Sequence, residues 1–476
     1  MNAKDEIVKI IEEKRQLFIS AADRIWSTPE TRFATEKSVA NFYPILEEEG
    51  FCIEKGLANM EHAFAATYGH GNPVIGILAE YDALSNLSQV ADLGEQQAEL
   101  EGANGHGCGH NLLGMGSLAG AVGIKTYMER HNVQGTIKLF GCPAEESGYG
   151  KAFMARDGVF DDLDVALSWH PMDTNSAWAL SSLAVYQVYY NFKGIPAHAA
   201  AAPEKGRSAL DAAELMNIGV QFLREHIVDE GRIHYAFMDV GGESANVVQS
   251  TASLYYFIRA LKIEQAEEIY KRVNKIAEGA ALMTETEVEI VLDSACANYL
   301  PNQAATTAMY ENLKEYGTLN LTEEDQTYCQ RYYDSLPAVV KEGFAKRARL
   351  SHPEASEEEI QRLASLPILD SVEPLRFSED TSGSTDVGDV SWVCPTAQVM
   401  IACEPQGTPA HSWQWVANGK SAVAHKGLLS GGKVIAATAY DLLTKPELVR
   451  QAKKEHQETV GGAKYKSAIP NDVFPK

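Results

Sequence analysis

The sequence predicts an α/β protein: a mostly parallel, mixed sheet flanked by helices, interrupted by an inserted α+β domain of ferredoxin-like order. Three observations predict it. Short apolar runs at 74–79, 136–140 and 165–168 alternate with helical stretches, as strands buried on both faces of a parallel sheet do. Each run leads into polar, chemistry-bearing residues, at the strand end where open α/β sheets hold their sites. From about residue 184 the rhythm becomes strand, helix, two strands, helix, strand.

Taken in order, residues 5–26 carry Ile7, Ile10, Ile11, Leu17, Phe18, Ala21 and Ile25 at helical spacing and predict an amphipathic helix. The run 74–79 ends at Glu80-Tyr81-Asp82. After the glycine-rich 105–109, residues 112–130 predict a helix with a small-residue face. The run 136–140 leads to a turn at Glu145-Glu146, and 165–168 leads to His170. In the insert, 183–192 alternates like a half-exposed strand and 207–227 reads as an amphipathic helix. Residues 233–240 and 250–260 are strands, 263–283 a helix and 287–292 a strand. The predicted division is 1–183 for the first part of the catalytic domain, 184–296 for the insert and 297–476 for the second part. Residues 320–380, with Glu323-Glu324-Asp325 and Glu357-Glu358-Glu359, predict a charged helical insertion or cap.

Composition narrows the partners. A chain of 476 residues with 45% hydrophobic content can bury a core without disulfides. Against 65 acidic residues stand 41 basic ones, a net charge of −24, which argues against nucleic acid or an anionic membrane as partner. The 7 cysteines are odd in number, scattered and without a Cys-x-x-Cys pair, which predicts a reducing compartment, the cytoplasm. No run of about 18 apolar residues occurs, so no membrane span is predicted.

Five residues of metal-ligand type follow predicted strands or open a helix: Cys108, His110, Glu146, His170 and His425. A thiolate, imidazoles and a carboxylate suit borderline-soft divalent ions such as zinc or manganese. Each is weak alone. In Cys108-Gly109-His110 the intervening glycine permits a turn that converges two side chains, but the same residues suit a loop with a buried cysteine. Glu145-Glu146 could divide labour, one ligating and one moving protons, although paired glutamates usually mark a solvated turn. His170 and His425 singly are more often hydrogen-bonded structural histidines. His411, in Pro409-Ala410-His411-Ser412-Trp413, is a further candidate, for substrate. His198 is the least obvious, since a surface histidine is the plainer reading. No phosphate-binding glycine motif and no Gly-x-Ser-x-Gly occurs, which disfavours nucleotide and serine chemistry. The residues together predict a metal-dependent hydrolase with Glu145 as the base.

These motifs resemble the M20 family of metallopeptidases and amidohydrolases, and within it the B-type subunits of aminobenzoyl-glutamate hydrolases. The resemblance runs nearly end to end. It rests on Glu80-Tyr81-Asp82-Ala83-Leu84, Gly105 to Asn111, Pro143-Ala144-Glu145-Glu146, Trp169-His170-Pro171 and Ala197-His198-Ala199-Ala200. Ser384 to Asp389, Gly407 to Trp413 and Ala424-His425-Lys426-Gly427 continue it. Asn111 stands where the wider branch has Asp, Ser85 where it often has Pro, and Asn246-Val247-Val248-Gln249 where it has Asn-Val-Ile-Pro.

The resemblance implies a two-metal catalytic domain and a smaller lid domain that mediates dimerisation. It implies Cys108, His110, Glu146, His170 and His425 as ligands, Glu145 as general base and Asp82 as the carboxylate that orients a ligand imidazole. It implies that His198 crosses a dimer to steady the oxyanion, and that Asn246 and Arg259 bind a substrate carboxylate. The expected reaction is hydrolysis of an N-acyl or N-aroyl amino acid, aminobenzoyl-glutamate among them. The alternatives are a dipeptidase of the same family, or a subunit that needs a related partner chain in a heterodimer.

Overall fold

The computed structural model describes residues 2–378 and 383–476. Its strands are β1 (Cys52–Lys55), β2 (Phe64–His70), β3 (Val74–Glu80), β4 (Gly135–Cys142), β5 (Val165–Met172), β6 (Ser176–Ala177), β7 (Ala184–Lys193), β8 (Arg232–Asp239), β9 (Thr251–Ala260), β10 (Glu287–Cys296) and β11 (Thr396–Ala402). The chain divides into two compact units. One comprises 2–180, 300–378 and 390–464, and the other 181–299, 383–389 and 465–476.

The first unit holds a sheet of order β1-β2-β4-β3-β5-β11-β6. Its centre, β4-β3-β5-β11, is parallel, while β2 runs antiparallel on β4, β1 on β2, and β6 on β11. This is the mixed, mostly parallel sheet that the sequence predicts. The central strands are largely apolar because both faces are covered. Ile75, Ile77, Leu139, Val165, Leu167, Val399 and Ile401 are all inaccessible to solvent.

The helix His110–His131 lies against the sheet and against the helix Ala422–Thr444. Its small-residue face lets the two backbones approach. A Cβ on Gly116 would stand 2.4 Å from Trp169 and 2.9 Å from the Leu428 carbonyl, and one on Gly432 would stand 2.9 Å from the Gly116 carbonyl. Trp169 in turn donates its indole N–H to the Leu113 carbonyl at 3.0 Å. The single N-terminal helix expected over 5–26 is two helices, Ala3–Glu13 and Arg15–Trp26, broken at Lys14. Ile7, Ile10, Ile11, Phe18, Ala21 and Ile25 face the core as their spacing implies, but Leu17 does not and is 37% exposed.

The charged stretch 320–380 contains the helices Glu323–Ser335, Ala338–Ser351 and Glu357–Ser365. Thr322 and Ser356 cap the first and third by accepting the N–H of Asp325 and of Glu359. Residues 379 and 380 of that stretch lie outside the described residues.

The second unit is a wholly antiparallel sheet of order β10-β7-β9-β8 with the helices Ala209–Leu223 and Ile263–Thr284. Strand, helix, strand, strand, helix, strand is the ferredoxin-like succession. Along β9 the alternation sorts the two faces. Leu254, Tyr256 and Ile258 are buried, and Tyr256 reaches Asn217 on the first helix at 2.5 Å. Tyr255, Phe257 and Arg259 alternate with them and stay half-exposed. The strand expected over 287–292 continues to Cys296 past a register shift between Leu292 and Ser294. Among the described residues no helix is long and apolar enough to cross a membrane.

Candidate metal centre

The carboxyl ends of the parallel strands bring the predicted chemistry together. β3 delivers Glu80 at its last position and Asp82 just beyond. β4 runs through Pro143 and Ala144, which takes a positive φ of 66°, to Glu145 and Glu146. β5 contributes His170 directly. Gly109 adopts φ 73° at the start of the helix that begins with His110. A Cβ there would stand 3.1 Å from both Pro171 and the Trp415 indole nitrogen, so the turn that presents Cys108 and His110 suits only glycine.

After β11 the chain turns back to the same place. The His411 N–H donates to the Gly107 carbonyl at 2.9 Å, which ties that loop to the one carrying Cys108. Asp173, just past β5, accepts the Gly407 N–H at 2.8 Å and a bidentate pair from Arg347 at 2.7 and 2.9 Å. The helical insertion, through Arg347, thus buttresses the loop that carries His411. A guanidinium fork suits this double contact.

Three groups of donor atoms result, each lying within 4.8 Å of one another: Cys108, His110 and His170; Cys108, Glu146 and His411; and Glu80, His110 and Glu145. Cys108 joins the first two and His110 joins the first to the third. Cys108 Sγ is 3.5 Å from His170 Nε2, and His411 Nε2 is 3.3 Å from a Glu146 oxygen. His170 Nδ1 donates to the Pro171 carbonyl at 2.7 Å, so its Nε2 presents a lone pair towards Cys108. Asp82 stands 3.2 Å from His110 Nδ1, which leaves Nε2 facing Glu80 at 3.3 Å and Glu145 at 3.9 Å.

The electrostatics fit a cation. His110 Nε2, Glu80 Oε2 and Glu146 Oε1 are buried and make no hydrogen bond to the described residues. Buried polar atoms without partners are costly and call for a partner of another kind. Burial raises the Glu146 carboxyl to about 7 and lowers His170 to about 4, His110 adding to the second effect. Burial also drives the Cys108 thiol far up, with Glu146 beside it. Burial pulls His110 down, but Asp82, Cys108 and Glu80 outweigh it and hold that imidazole well above its ordinary value. Thiol, imidazole and carboxylate donors of this kind match zinc, manganese and their neighbours.

One expected ligand lies apart from these groups. His425 does not join the donors. It lies in the first turn of the helix Ala422–Thr444, and its Nε2 is 2.8 Å from Asp23 on the helix Arg15–Trp26. His411, expected as a substrate residue, stands among the donors instead. His106 is buried with its Nε2 donating to the Ile25 carbonyl at 3.2 Å. Sequence reasoning passes over Glu80 as a donor and over Lys151, whose ammonium lies 2.6 Å from Glu80 Oε1. The only signal for Glu80 is its place at the end of β3, and Lys151 has none.

The remaining expected residues belong to the second unit. His198 is exposed, and its Nδ1 accepts the N–H groups of Ala200 and Ala201 at 3.2 Å each. Asn246 is exposed on the neighbouring loop, where its carbonyl accepts the Ala199 N–H at 2.9 Å. Arg259 stacks over Phe257 at 5.4 Å and donates to Ser384 at 2.5 Å.

A cluster of thiol, imidazole and carboxylate donors beside a further carboxylate, at the ends of parallel strands, defines a metal-using hydrolase. Residues 76–372 match peptidase family M20/M25/M40, and the chain belongs to that family. It is 42% identical to the B-type subunit of p-aminobenzoyl-glutamate hydrolase from Escherichia coli, over 98% of this chain and 97% of that one. It is 27% identical to the Xaa-Arg dipeptidase of Mus musculus over 94% of this chain and 90% of that protein. The fold is also that of a dinuclear metal binding M20 peptidase of Bacillus subtilis. The TM-score is 0.51 at 15% identity, over 90% of this chain and 99% of the other.

Proposed function

We propose that the protein is a metal-dependent amidohydrolase that cleaves the amide bond of an N-acyl or N-aroyl amino acid of the aminobenzoyl-glutamate kind. The observation that carries this reading is Glu145. Its carboxylate joins the donor cluster through His110, while the adjacent Glu146 faces Cys108 and His411. The 42% identical relative, by name a subunit of an aminobenzoyl-glutamate hydrolase, supports the substrate class.

Cys108, His110, Glu146, His170 and His411 hold two divalent ions in this reading, zinc or manganese by donor chemistry. Bound there, such ions polarise the scissile carbonyl and lower the pKa of water. Glu145 takes the proton of the attacking water and returns it to the amide nitrogen as the C–N bond breaks. Asp82 keeps the His110 ring oriented through Nδ1. His198 accepts at Nδ1, so its hydrogen sits on Nε2, a donor suited to the oxyanion of a neighbouring copy. Arg259 and Asn246 take the substrate carboxylate.

Association through the second unit is part of the proposal. β8 is an edge strand with Tyr235, Phe237 and Met238 39–57% exposed, and Phe222 on the nearby helix is 72% exposed. Such an edge invites pairing with another chain, a second copy or a related subunit. The seven cysteines are free thiols, which supports the cytoplasm as the site of action.

The dipeptidase relative favours a second reading, in which the acyl group is itself an amino acid. Metal-reconstituted protein, assayed on aminobenzoyl-glutamate, other N-acyl amino acids and dipeptides with a chelated control, tests both. Chelator-sensitive release of glutamate from aminobenzoyl-glutamate is expected. Preferred cleavage of dipeptides would move the protein to the second reading, and inertness with two ions bound would point to a required partner chain.

A further inference from the structure

We propose that Glu80 is an additional metal donor, on the His110 side of the centre, and that Lys151 is the positioning residue that aims it. The inference rests on the two-metal reading above.

Both side chains are almost wholly buried, Glu80 at 2% exposure and Lys151 at 0%. Lys151 holds Oε1 at 2.6 Å. Oε2 is left 3.3 Å from His110 Nε2, yet neither of these atoms makes a hydrogen bond among the described residues. Asp82 occupies the other ring nitrogen of His110, so Nε2 can present its lone pair. When Nε2 carries no proton, it and the carboxylate oxygen facing it are two acceptors that a cation can join. A cation shared between them relieves both orphaned atoms at once.

The neighbourhood also suits a donor better than a structural ion pair. Lys151 has a carboxylate partner in one Glu80 oxygen, so a purely structural pair would not require the second oxygen to be turned to His110. Glu145 completes this third group, its oxygen lying within the same 4.8 Å. The group therefore places a Glu80 oxygen within 4.8 Å of the proposed base. Lys151 offsets the carboxylate charge, so that adding this donor does not overload the centre with anions.

The test is metal stoichiometry and affinity in Glu80→Gln, by elemental analysis after dialysis and by competition with a chromophoric chelator. Wild type is expected to bind two ions. Glu80→Gln is expected to keep one of them and to lose at least about 10-fold in affinity for the other, the lower edge of what even supporting groups contribute. Wild type that binds no ion would overturn the metal reading itself. Two ions bound by wild type and equally well by the variant would overturn the Glu80 assignment alone. Should Glu80→Gln not fold because Lys151 is stranded, Glu80→Gln/Lys151→Met removes both charges and is read in the same way. A crystal structure of metal-loaded wild type decides independently of any variant. Glu80 Oε2 at about 2.0–2.2 Å from an ion supports the assignment, and any distance beyond about 3 Å refutes it.

Discussion

The Asp82 carboxylate stands 3.2 Å from Nδ1 of His110, and neither side chain has any exposed surface. Its second oxygen accepts the Glu146 N–H at 3.0 Å. One carboxylate therefore holds both the His110 ring and the Glu146 backbone. Asp82→Asn preserves the volume and removes the charge, so the His110 ring loses both its tautomer and its direction. Metal affinity is expected to fall about 10–100-fold, the range for groups that support ligands. Chelator competition measures it, and an unchanged dissociation constant would separate Asp82 from the centre.

His411 and His425 provide a paired test of the donor set. His411→Ala removes a side chain 3.3 Å from Glu146, and metal binding at that group should weaken sharply. His425→Ala removes only a partly exposed pair with Asp23. Its expected cost is below about 1 kcal/mol of stability, with metal content and turnover retained. Elemental analysis and thermal melts of the two variants distinguish them, and the reverse pattern would restore His425 as the ligand.

The reason that His425 resembles a ligand in the sequence lies in what local pattern can and cannot carry. β3, β4 and β5 are legible because apolar runs followed by polar residues are a local signature, and so is the helix His110–His131 after its glycines. The ferredoxin-like unit is legible from order alone. β2 is not, since its burial fades along its length from Phe64 to His70 and the alternation with it. β11 is not legible either, and without it the return path of the chain to Gly107 stays hidden. That path separates the histidines: His411 reaches the donor cluster through the loop after β11, held at Gly407 by Asp173, whereas His425 is paired with Asp23 on the helix Arg15–Trp26. Glu80 and Lys151 meet across 71 residues of sequence, a pairing that only the packed sheet creates.

Asp389 should give the second unit a pH dependence of its own. Burial raises its carboxyl to about 7, although the Tyr465 hydroxyl donates to it at 2.5 Å and the Ala297 N–H at 3.0 Å. A folded value above the unfolded one means that the native state holds the proton more tightly. That stabilisation is complete below about pH 4 and is lost as pH rises through about 7. Asp389→Asn cannot ionise. From pH 4 to 8 it should gain on wild type by a few kcal/mol, at about 1.4 kcal/mol per pKa unit. Chemical denaturation of both proteins at matched metal concentration measures the difference. Parallel pH profiles would mean that Asp389 is ionised in the fold.

In the proposed reaction, Glu145 is the residue on which turnover depends most directly. Its carboxylate is 12% exposed, open enough to exchange protons with a bound water and close enough to His110, at 3.9 Å, to act beside the donors. Glu145→Gln keeps the shape and the hydrogen-bonding reach but cannot take a proton. Turnover should drop by about 10²–10⁴, the usual size of general acid–base catalysis, while KM stays within a few-fold. Metal content should stay at the wild-type level if Glu145 is a base and not a ligand. A variant that loses an ion along with turnover would reassign Glu145 to the donor set that it shares with Glu80 and His110. A variant with full turnover would remove it from the mechanism and leave the proton transfer to another group at the strand ends.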